Sequence, residues 1–297
     1  LDYLKEFAID CDIRGFHKHT TTTYASHLKD FLEIIDDPIS IDQSELRAHL
    51  AALQKRNYKA STYNSYYAAL NTFYDFLIFE KLIRKNPIPE FRKRYLSHVM
   101  KISQGEKRQI ISVQDMKDLL HQANDLQERA LITTLAKTGL RRGELLDLQA
   151  KDIDLDKQEI RLKDKAKRSR TVVFMDEELS KIMEEHLSWR ECNAQSHWLW
   201  ISSRGGRIHK DDPGRIIAKN ALALGLHQHG GPLEQRLTCH CFRHFFTTEL
   251  FRAGMDPQYI KWLRGDSLQK EAWQIYNHID PEHVREEYEK CIPKLFL

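Results

Sequence analysis

Three short stretches in the second half of this chain carry side chains that together could act on a phosphodiester. Thr138-Gly139-Leu140-Arg141-Arg142-Gly143-Glu144-Leu145 supplies Arg141, and His240-Cys241-Phe242-Arg243-His244 follows about a hundred residues later. Gln274-Ile275-Tyr276-Asn277-His278 comes third, near the C-terminus. Two guanidiniums can grip a phosphate through paired, charge-assisted N–H donors. A histidine can hydrogen-bond the same group, and a tyrosine can attack its phosphorus. At a helix start His240 and Arg243 sit three apart, share a face and can meet one ligand. By itself a His-x-x-Arg pair is a common surface accident. Arg141 stands at a tighter place, between a helix ending in Gly139 and one opened by Gly143-Glu144. Such a corner points a side chain outward from a rigid support. The plainer reading makes it a loop arginine paired with Glu144. Tyr276 has a phenol that stays protonated at neutral pH, with an ordinary pKa of roughly 10. Nearby cations would favour phenolate as it attacks. Its plainer reading is a core tyrosine ahead of Pro281. Tyr288 is the rival nucleophile, with Glu286, Glu287 and Glu289 around it opposing ionisation.

In their order and approximate spacing these stretches resemble the signature of the tyrosine recombinase (phage integrase) family, of Xer-like or archaeal type. The resemblance covers nearly the whole chain, because Thr22-Thr23-Tyr24 to Phe31 and Lys85-Asn86-Pro87 resemble the family's helical core-binding domain. It implies Tyr276 as nucleophile, Arg141 and Arg243 as the phosphate clamp, and His240 as a hydrogen-bonding partner that assists proton transfer. The family also uses a lysine on a β-hairpin turn. Lys163-Asp164-Lys165-Ala166-Lys167-Arg168-Ser169-Arg170 resembles that turn, and counting back from Arg170-Thr171-Val172 selects Lys165, with Lys163 and Lys167 as near alternatives. A lysine there suits a general acid protonating the leaving oxygen.

One position departs from the pattern. Relatives usually carry Leu-Gly-His, where the histidine (sometimes a tryptophan) donates to the scissile phosphate, and this chain has Trp262-Leu263-Arg264-Gly265-Asp266. An ionised Asp266 cannot donate and would repel a close phosphate. The open alternatives are that it orients Arg264 or an active-site arginine, or that it turns away.

These residues need scaffolding, and the pattern of apolar residues says of what kind. Helical spacing recurs in Tyr24, Leu28, Phe31, Leu32 and Ile35, with Thr20 to Thr23 as capping candidates. Asp42-Gln43-Ser44-Glu45 reads as a capping box ahead of Leu46, Leu50 and Leu53. A longer helix from about Ser61 offers Tyr63, Tyr66, Leu70, Phe73, Leu77 and Phe79 to a core and stops near Asn86-Pro87-Ile88-Pro89. Residues 90–110 lack a clear period and carry basic residues, as a linker would. Ser112-Val113-Gln114-Asp115 starts a new helix, and another over about 127–137 ends at Gly139. Residues 158–174 switch to strand formers around a basic turn, a small hairpin. Helices return at about 176–189, 213–224, 241–253 and 257–264, with Phe242, Phe245 and Phe246 anchoring the third. Gly205-Gly206 and Gly230-Gly231 read as turns. The fold class is therefore mainly α with a small β-sheet (α+β). With the resemblance it divides into a SAM-like core-binding domain over 1–89, a basic linker over 90–110, and a catalytic domain over 111–297 with a C-terminal tail helix.

Bulk composition excludes several classes. The 297 residues are 41% hydrophobic, enough for two ordinary domains, and no apolar run approaches the roughly 20 residues of a membrane span. Five scattered cysteines, Cys11, Cys192, Cys239, Cys241 and Cys291, form no disulfide framework and point to a reducing compartment. The N-terminal Leu1-Asp2-Tyr3-Leu4-Lys5-Glu6 lacks a signal peptide's regions. The net charge of +3 says little, but the basic residues cluster in Arg92-Lys93-Arg94, Lys107-Arg108 and Arg161 to Arg170. Local basic patches on a near-neutral chain suit a clamp that touches phosphate on selected faces. Candidate DNA-backbone contacts are Lys55, Arg56 and Lys59 with Arg92, Lys93 and Arg94. No metal is expected, since Cys239-His240-Cys241 beside His244, and Cys11 with His17 and His19, lack a second ligand pair at a fitting spacing. No Gly-rich phosphate loop is present, and no cofactor is expected.

The resemblance implies site-specific DNA breakage and rejoining without metal or nucleotide. The partners are then double-stranded DNA and other copies of the chain in a tetramer on DNA. The C-terminal tail (Pro281 to Leu297) would dock on the neighbouring protomer, or else cap its own domain. Accessory DNA-bending proteins are a further partner class, and the expected place of action is the cytoplasm, at the nucleoid. Two other readings stay open: a DNA-binding relative that has lost turnover, and a type IB topoisomerase-like enzyme.

Overall fold

A computed structural model of the chain describes residues 2–56, 58–97, 108–163, 171–193, 195–266 and 279–296. The chain divides into two compact units, Leu1–Glu106 and Lys107–Leu297.

The first unit is helical. Its main elements are α1 (Tyr3–Ile13), α2 (Lys18–Leu32), α3 (Gln43–Lys55) and α4 (Ala60–Phe79), followed by a single turn, α5 (Ile88–Phe91). The capping box at Asp42 forms as expected, with Glu45 N–H donating to the Asp42 carboxylate and Asp42 N–H to the Glu45 carboxylate, both at 2.9 Å. The threonines 20–23 do not cap α2. His17 does, and the Thr22 and Thr23 hydroxyls donate back to the Lys18 and His19 carbonyls inside the helix. Leu28, Phe31, Tyr67, Leu70, Phe73 and Leu77 are fully buried in the core between α2 and α4. Phe79, expected on that face, is 78% exposed because α4 ends with it. Residues 90–97, read from sequence as the start of a linker, are helical: α5 runs into a π-helical turn, Arg92–Leu96. The wider π period hides the apolar pattern, yet Phe91 stacks on Tyr67 at 5.3 Å and Leu96 is buried.

The second unit begins with α6 (Val113–Gln122), capped by Ser112 and Asp115, then α7 (Leu126–Thr138) and the short α8 (Arg142–Leu146). A three-stranded antiparallel sheet follows in the order β1 (Ile153–Asp154), β2 (Glu159–Arg161), β3 (Val172–Phe174). The β2–β3 pair, registered Ile160 opposite Val173, is the expected hairpin, and β1 is an addition too short to read from pattern. Next come α9 (Glu177–Asn193), α10 (Asp212–Ala223), α11 (Cys239–Arg252), α12 (Pro257–Arg264) and α13 (Pro281–Cys291). Leucines and alanines of α7 form the centre of the main core, against α9 on one side and α11 on another.

The C-terminal tail packs on its own unit. Val284, Tyr288 and Cys291 of α13 join Phe246 and Leu250 of α11 in a second core cluster, and Leu295 is fully buried in the first. An ionic knot holds it there. Lys137, in the last turn of α7, has no exposed surface and donates to Asp176 and Glu178, both at 2.6 Å, and to the Pro293 carbonyl at 2.7 Å. Glu178 in turn accepts the Leu295 and Phe296 backbone N–H groups at 2.9 and 3.0 Å. Burial alone would raise the Glu178 pKa, but the Lys137 ammonium and these two N–H groups outweigh it and hold it below the ordinary range.

Candidate active site

The corner that presents Arg141 is built by Gly139. This residue caps α7 in the left-handed conformation, φ +58°, its N–H returning to the Leu135 carbonyl at 3.1 Å. A Cβ there would stand 2.6 Å from Cδ1 of Phe246, so the turn needs a glycine both for φ and for room. Gly139→Ala is therefore expected to cost at least about 2 kcal/mol, from left-handed strain plus overpacking. Its urea midpoint measures this, and wild-type stability would show that Phe246 can yield. Beyond the turn Arg141 sits just ahead of α8. Its backbone N–H donates to Glu144 Oε2 at 2.8 Å and its Nη1 to Oε1 at 3.1 Å. The plainer reading of Arg141 as a partner of Glu144 is thus true but partial, since its Nη2 remains free to reach elsewhere.

Arg243 arrives from α11. Phe242, Phe245 and Phe246 are buried as expected and fix that helix against α7. Arg243 is 4% exposed, and its Nη1 donates to the Gly139 carbonyl at 2.7 Å while Nη2 donates to the Arg264 carbonyl at 2.9 Å. Burial, then the neighbouring Arg141, pushes its pKa down to about 10, which still leaves it cationic at neutral pH. His240 lies one turn earlier on the same face, with His244 edge-on to it at 4.8 Å. Burial and then Arg108 lower the His240 pKa, so at neutral pH it is mainly the uncharged imidazole, able to donate or accept.

Asp266 joins the two arginines. Its Oδ1 accepts from Arg141 Nη2 at 2.9 Å and from Arg243 Nη2 at 2.7 Å. Arg264 Nε lies 3.0 Å from Oδ2, an ion pair whose angle is too poor for a hydrogen bond. Gly265, left-handed at φ +63°, ends α12 and turns the chain so that Asp266 faces the arginines. Asp266 thus does not turn away; it lies against Arg141, Arg243 and Arg264 together.

Tyr276, Lys165 and Lys167 lie outside the described residues. Their neighbours are anchored. Before Lys165, Lys163 follows β2 and places its ammonium 5.1 Å from the Trp198 ring centre. The chain leaves α12 at Asp266 and returns at Ile279, which packs on the second core cluster. Arg285 of α13 then donates to the Lys157 carbonyl at 2.7 Å and pairs with Glu159 of β2. Tyr288, the rival nucleophile, is fully buried, and its hydroxyl donates to the Lys137 carbonyl at 3.1 Å. Burial raises its pKa well above the ordinary tyrosine value.

Arg141, His240, Arg243 and Arg264 line a cleft of about 730 Å³. Among the described residues no group of three or more His, Cys, Asp or Glu side chains could hold a metal ion. Sequence reading passed over Arg236 and Arg142, which line the same cleft, and the role of Arg108 beside His240. Their signal was present only as basic residues next to the motifs.

The sequence profile described as the phage integrase family matches residues 109–283, and that of the phage integrase N-terminal SAM-like domain matches residues 3–81. The chain belongs to the phage integrase family. Similar curated proteins are tyrosine recombinases XerC of Pelotomaculum thermopropionicum (27% identical, 86% of this chain and 83% of that one) and of Haemophilus influenzae strain PittEE (27%, 95% and 93%). XerD of Chlorobaculum tepidum is 25% identical over 95% of this chain and 92% of its own. Among solved structures, the Tn1549 transposon integrase in complex with transposon right end DNA superposes with a TM-score of 0.73 at 23% identity, covering 98% and 99%. A lambda integrase dimer bound to a core site gives 0.71 at 16%, covering 93% and 76%. These two establish the fold. Site-specific DNA recombination as a tyrosine recombinase is accordingly the activity of this integrase.

The integrase's first unit carries the other candidate contacts. Lys55 ends α3 and Lys59 precedes α4, both exposed. Arg56 is tied to Asp30 at 3.2 Å, and hydrogen bonding to Tyr58 raises its pKa. Arg92 donates to Asn64 of α4 at 2.6 Å, which brings it to the same end of that helix as Lys59. Lys93 and Arg94 are exposed on the π turn, Arg94 lying 5.7 Å from the Tyr95 ring centre. Among the described residues, no helix is long and apolar enough to cross a membrane.

Proposed function

We propose that recombination runs through a 3′-phosphotyrosyl intermediate formed by Tyr276, with Arg141 and Arg243 as the phosphate clamp. One observation carries this reading. A single anionic oxygen, Asp266 Oδ1, is gripped at once by both guanidiniums, from motifs far apart in sequence. That oxygen marks a point where a non-bridging phosphoryl oxygen would receive the same two donors. Tyr276 attacks phosphorus as its phenolic proton passes to the uncharged His240 imidazole, the bond to the 5′-oxygen breaks, and Lys165 supplies the proton to that oxygen. Preorganised donors stabilise the charge that grows on the phosphoryl oxygens in the transition state. His240 hydrogen-bonds the phosphate beside them. The phosphotyrosyl bond retains the energy of the broken one, so a partner's 5′-hydroxyl reverses the step without ATP.

Asp266 is then a tether that aligns the empty clamp and gives way to phosphate. A carboxylate at the clamp repels the incoming anion. Asp266→Asn should therefore tighten binding of a nicked duplex about tenfold, or ~1.4 kcal/mol. Anisotropy titration tests it, and equal or weaker binding contradicts the tether.

Lys55, Lys59, Arg92, Lys93 and Arg94 are proposed backbone contacts of the first unit, and Arg56 a weaker one because Asp30 already holds it. Exchange between two duplexes takes four protomers, so the working assembly is a tetramer on DNA, in the cytoplasm at the nucleoid, with accessory DNA-bending proteins as further partners. Docking of the tail on a neighbour would have to free Leu295 and the two backbone bonds to Glu178. The test of the reaction class is strand exchange between paired nicked duplexes from the source genome. Joined products that need two duplexes support recombination. Relaxation of a supercoiled plasmid by single protomers, without joining, would favour the topoisomerase-like reading.

A further inference from the structure

The cleft is larger than one phosphate group requires, and its far wall has no role in the clamp. Among the described residues its lining includes five arginines and three histidines, while carboxylates that pair with them, Asp266 on the clamp and Asp211 on Arg142, stand outside that lining. Arg141, Arg243, Arg264 and His240 belong to the clamp side; Arg142, Arg236, His227 and His229 do not. The far wall is built by the loop ahead of α11. Gln228 N–H closes on the Gln235 carbonyl at 2.8 Å, and Gly230 turns the loop at φ +70°. His227 bonds the Leu237 carbonyl at 3.2 Å and stands edge-on to His229 at 5.0 Å. The Cys241 thiol holds the Arg236 carbonyl at 3.6 Å, so Arg236 is fastened to the first turn of the helix that carries His240 and Arg243.

Arg236 is the unusual member. Among the described residues its buried Nε has no hydrogen-bond partner. Burying a guanidinium N–H unsatisfied opposes folding. An unsatisfied guanidinium N–H on a residue lining an open cleft fits a site that waits for an anion. Duplex DNA supplies such an anion, because each strand brings a phosphate about every 3.4 Å of helix axis. A strand whose scissile phosphate enters the clamp carries the next phosphate along with it.

We propose that Arg236, in a cleft also lined by His229 and by Arg142 (itself 3.8 Å from Asp211), is a second anion seat that holds the phosphodiester adjacent to the scissile one. The proposal rests on the clamp reading above and adds residues outside it. It makes Arg236 a positioning residue: by fixing the neighbouring phosphate it sets the register of the strand against Arg141 and Arg243.

Salt dependence of binding separates the two seats. Each phosphate neutralised contributes about 0.9 to the slope of log affinity against log salt on duplex DNA. Arg236→Gln should lower the slope of the full chain on a 30-base-pair duplex by about 0.9, and Arg236→Lys should keep it. Arg243→Gln should lower it by a similar amount, and the double variant by about twice that. An unchanged slope in Arg236→Gln overturns the second seat. So does a double variant that loses only one increment, since both arginines would then share one phosphate. An unchanged slope in Arg243→Gln alone would count against the clamp, not the seat. Arg236→Lys guards against a folding defect, because a variant that keeps charge and fold but loses the slope also overturns the proposal.

Discussion

Replacing Arg243 by alanine is expected to slow covalent cleavage of a nicked duplex by about 10²- to 10³-fold at saturating DNA. Arg243 is nearly buried and reaches three acceptors with two nitrogens: the Gly139 and Arg264 carbonyls and Asp266. The carbonyls belong to the turn before Arg141 and to the end of α12, so one guanidinium ties together both chain segments that deliver the clamp. Its donors are held in place before substrate arrives, and that preorganisation is what a phosphoryl transition state exploits. Arg243→Lys keeps the charge but not the fork, so a loss of at least about tenfold is expected there too. Single-turnover rates of adduct formation measure both, with thermal melting to separate a slowed enzyme from an unfolded one. A folded alanine variant within threefold of wild type would remove Arg243 from the chemistry.

The largest expected effect on stability is that of Lys137→Met. Lys137 is enclosed, and its removal leaves Asp176 and Glu178 with only the half-exposed Lys294, 3.7 Å from Asp176, as a compensating cation. Breaking a buried ionic cluster from one side typically costs about 3–5 kcal/mol. The same ammonium holds the Pro293 carbonyl, and Glu178 holds Leu295 and Phe296, so the tail should loosen with the knot. A urea unfolding curve reads the loss. Adding Asp176→Asn and Glu178→Gln to Lys137→Met should recover part of it, because the stranded charges are then gone. A loss under about 1 kcal/mol would mean that water reaches the knot.

What could be read from sequence was local. Arg141, His240 and Arg243 each lie in a stretch whose own spacing makes a cap or a helix turn, and those turns are present where the residues implied them. The hairpin was readable because Ile160 and Val173 sit in short runs of strand formers, whereas β1, only Ile153 and Asp154, gave no period to detect. The threonines before Tyr24 looked like caps because threonine caps well, yet His17 opens the helix earlier and they bond back along it. The pairing of Asp266 with Arg141 spans 125 positions, and no local pattern carries a contact of that kind. Lys137 was equally invisible: a lysine at a helix end reads as solvent-facing until its three partners are brought together by the fold. Tyr288 read as the weaker rival because of the glutamates around it, and its complete burial is a tertiary feature that no local pattern carries.

The most direct test of the proposed chemistry is covalent trapping on nicked duplexes from the source genome, comparing wild type with Tyr276→Phe. Wild type should give an SDS-resistant protein–DNA adduct whose linked peptide contains Tyr276, and the phenylalanine variant should give none while still binding DNA. An adduct that persists in Tyr276→Phe would contradict the assignment of the nucleophile and with it the proposed 3′-phosphotyrosyl route through this residue.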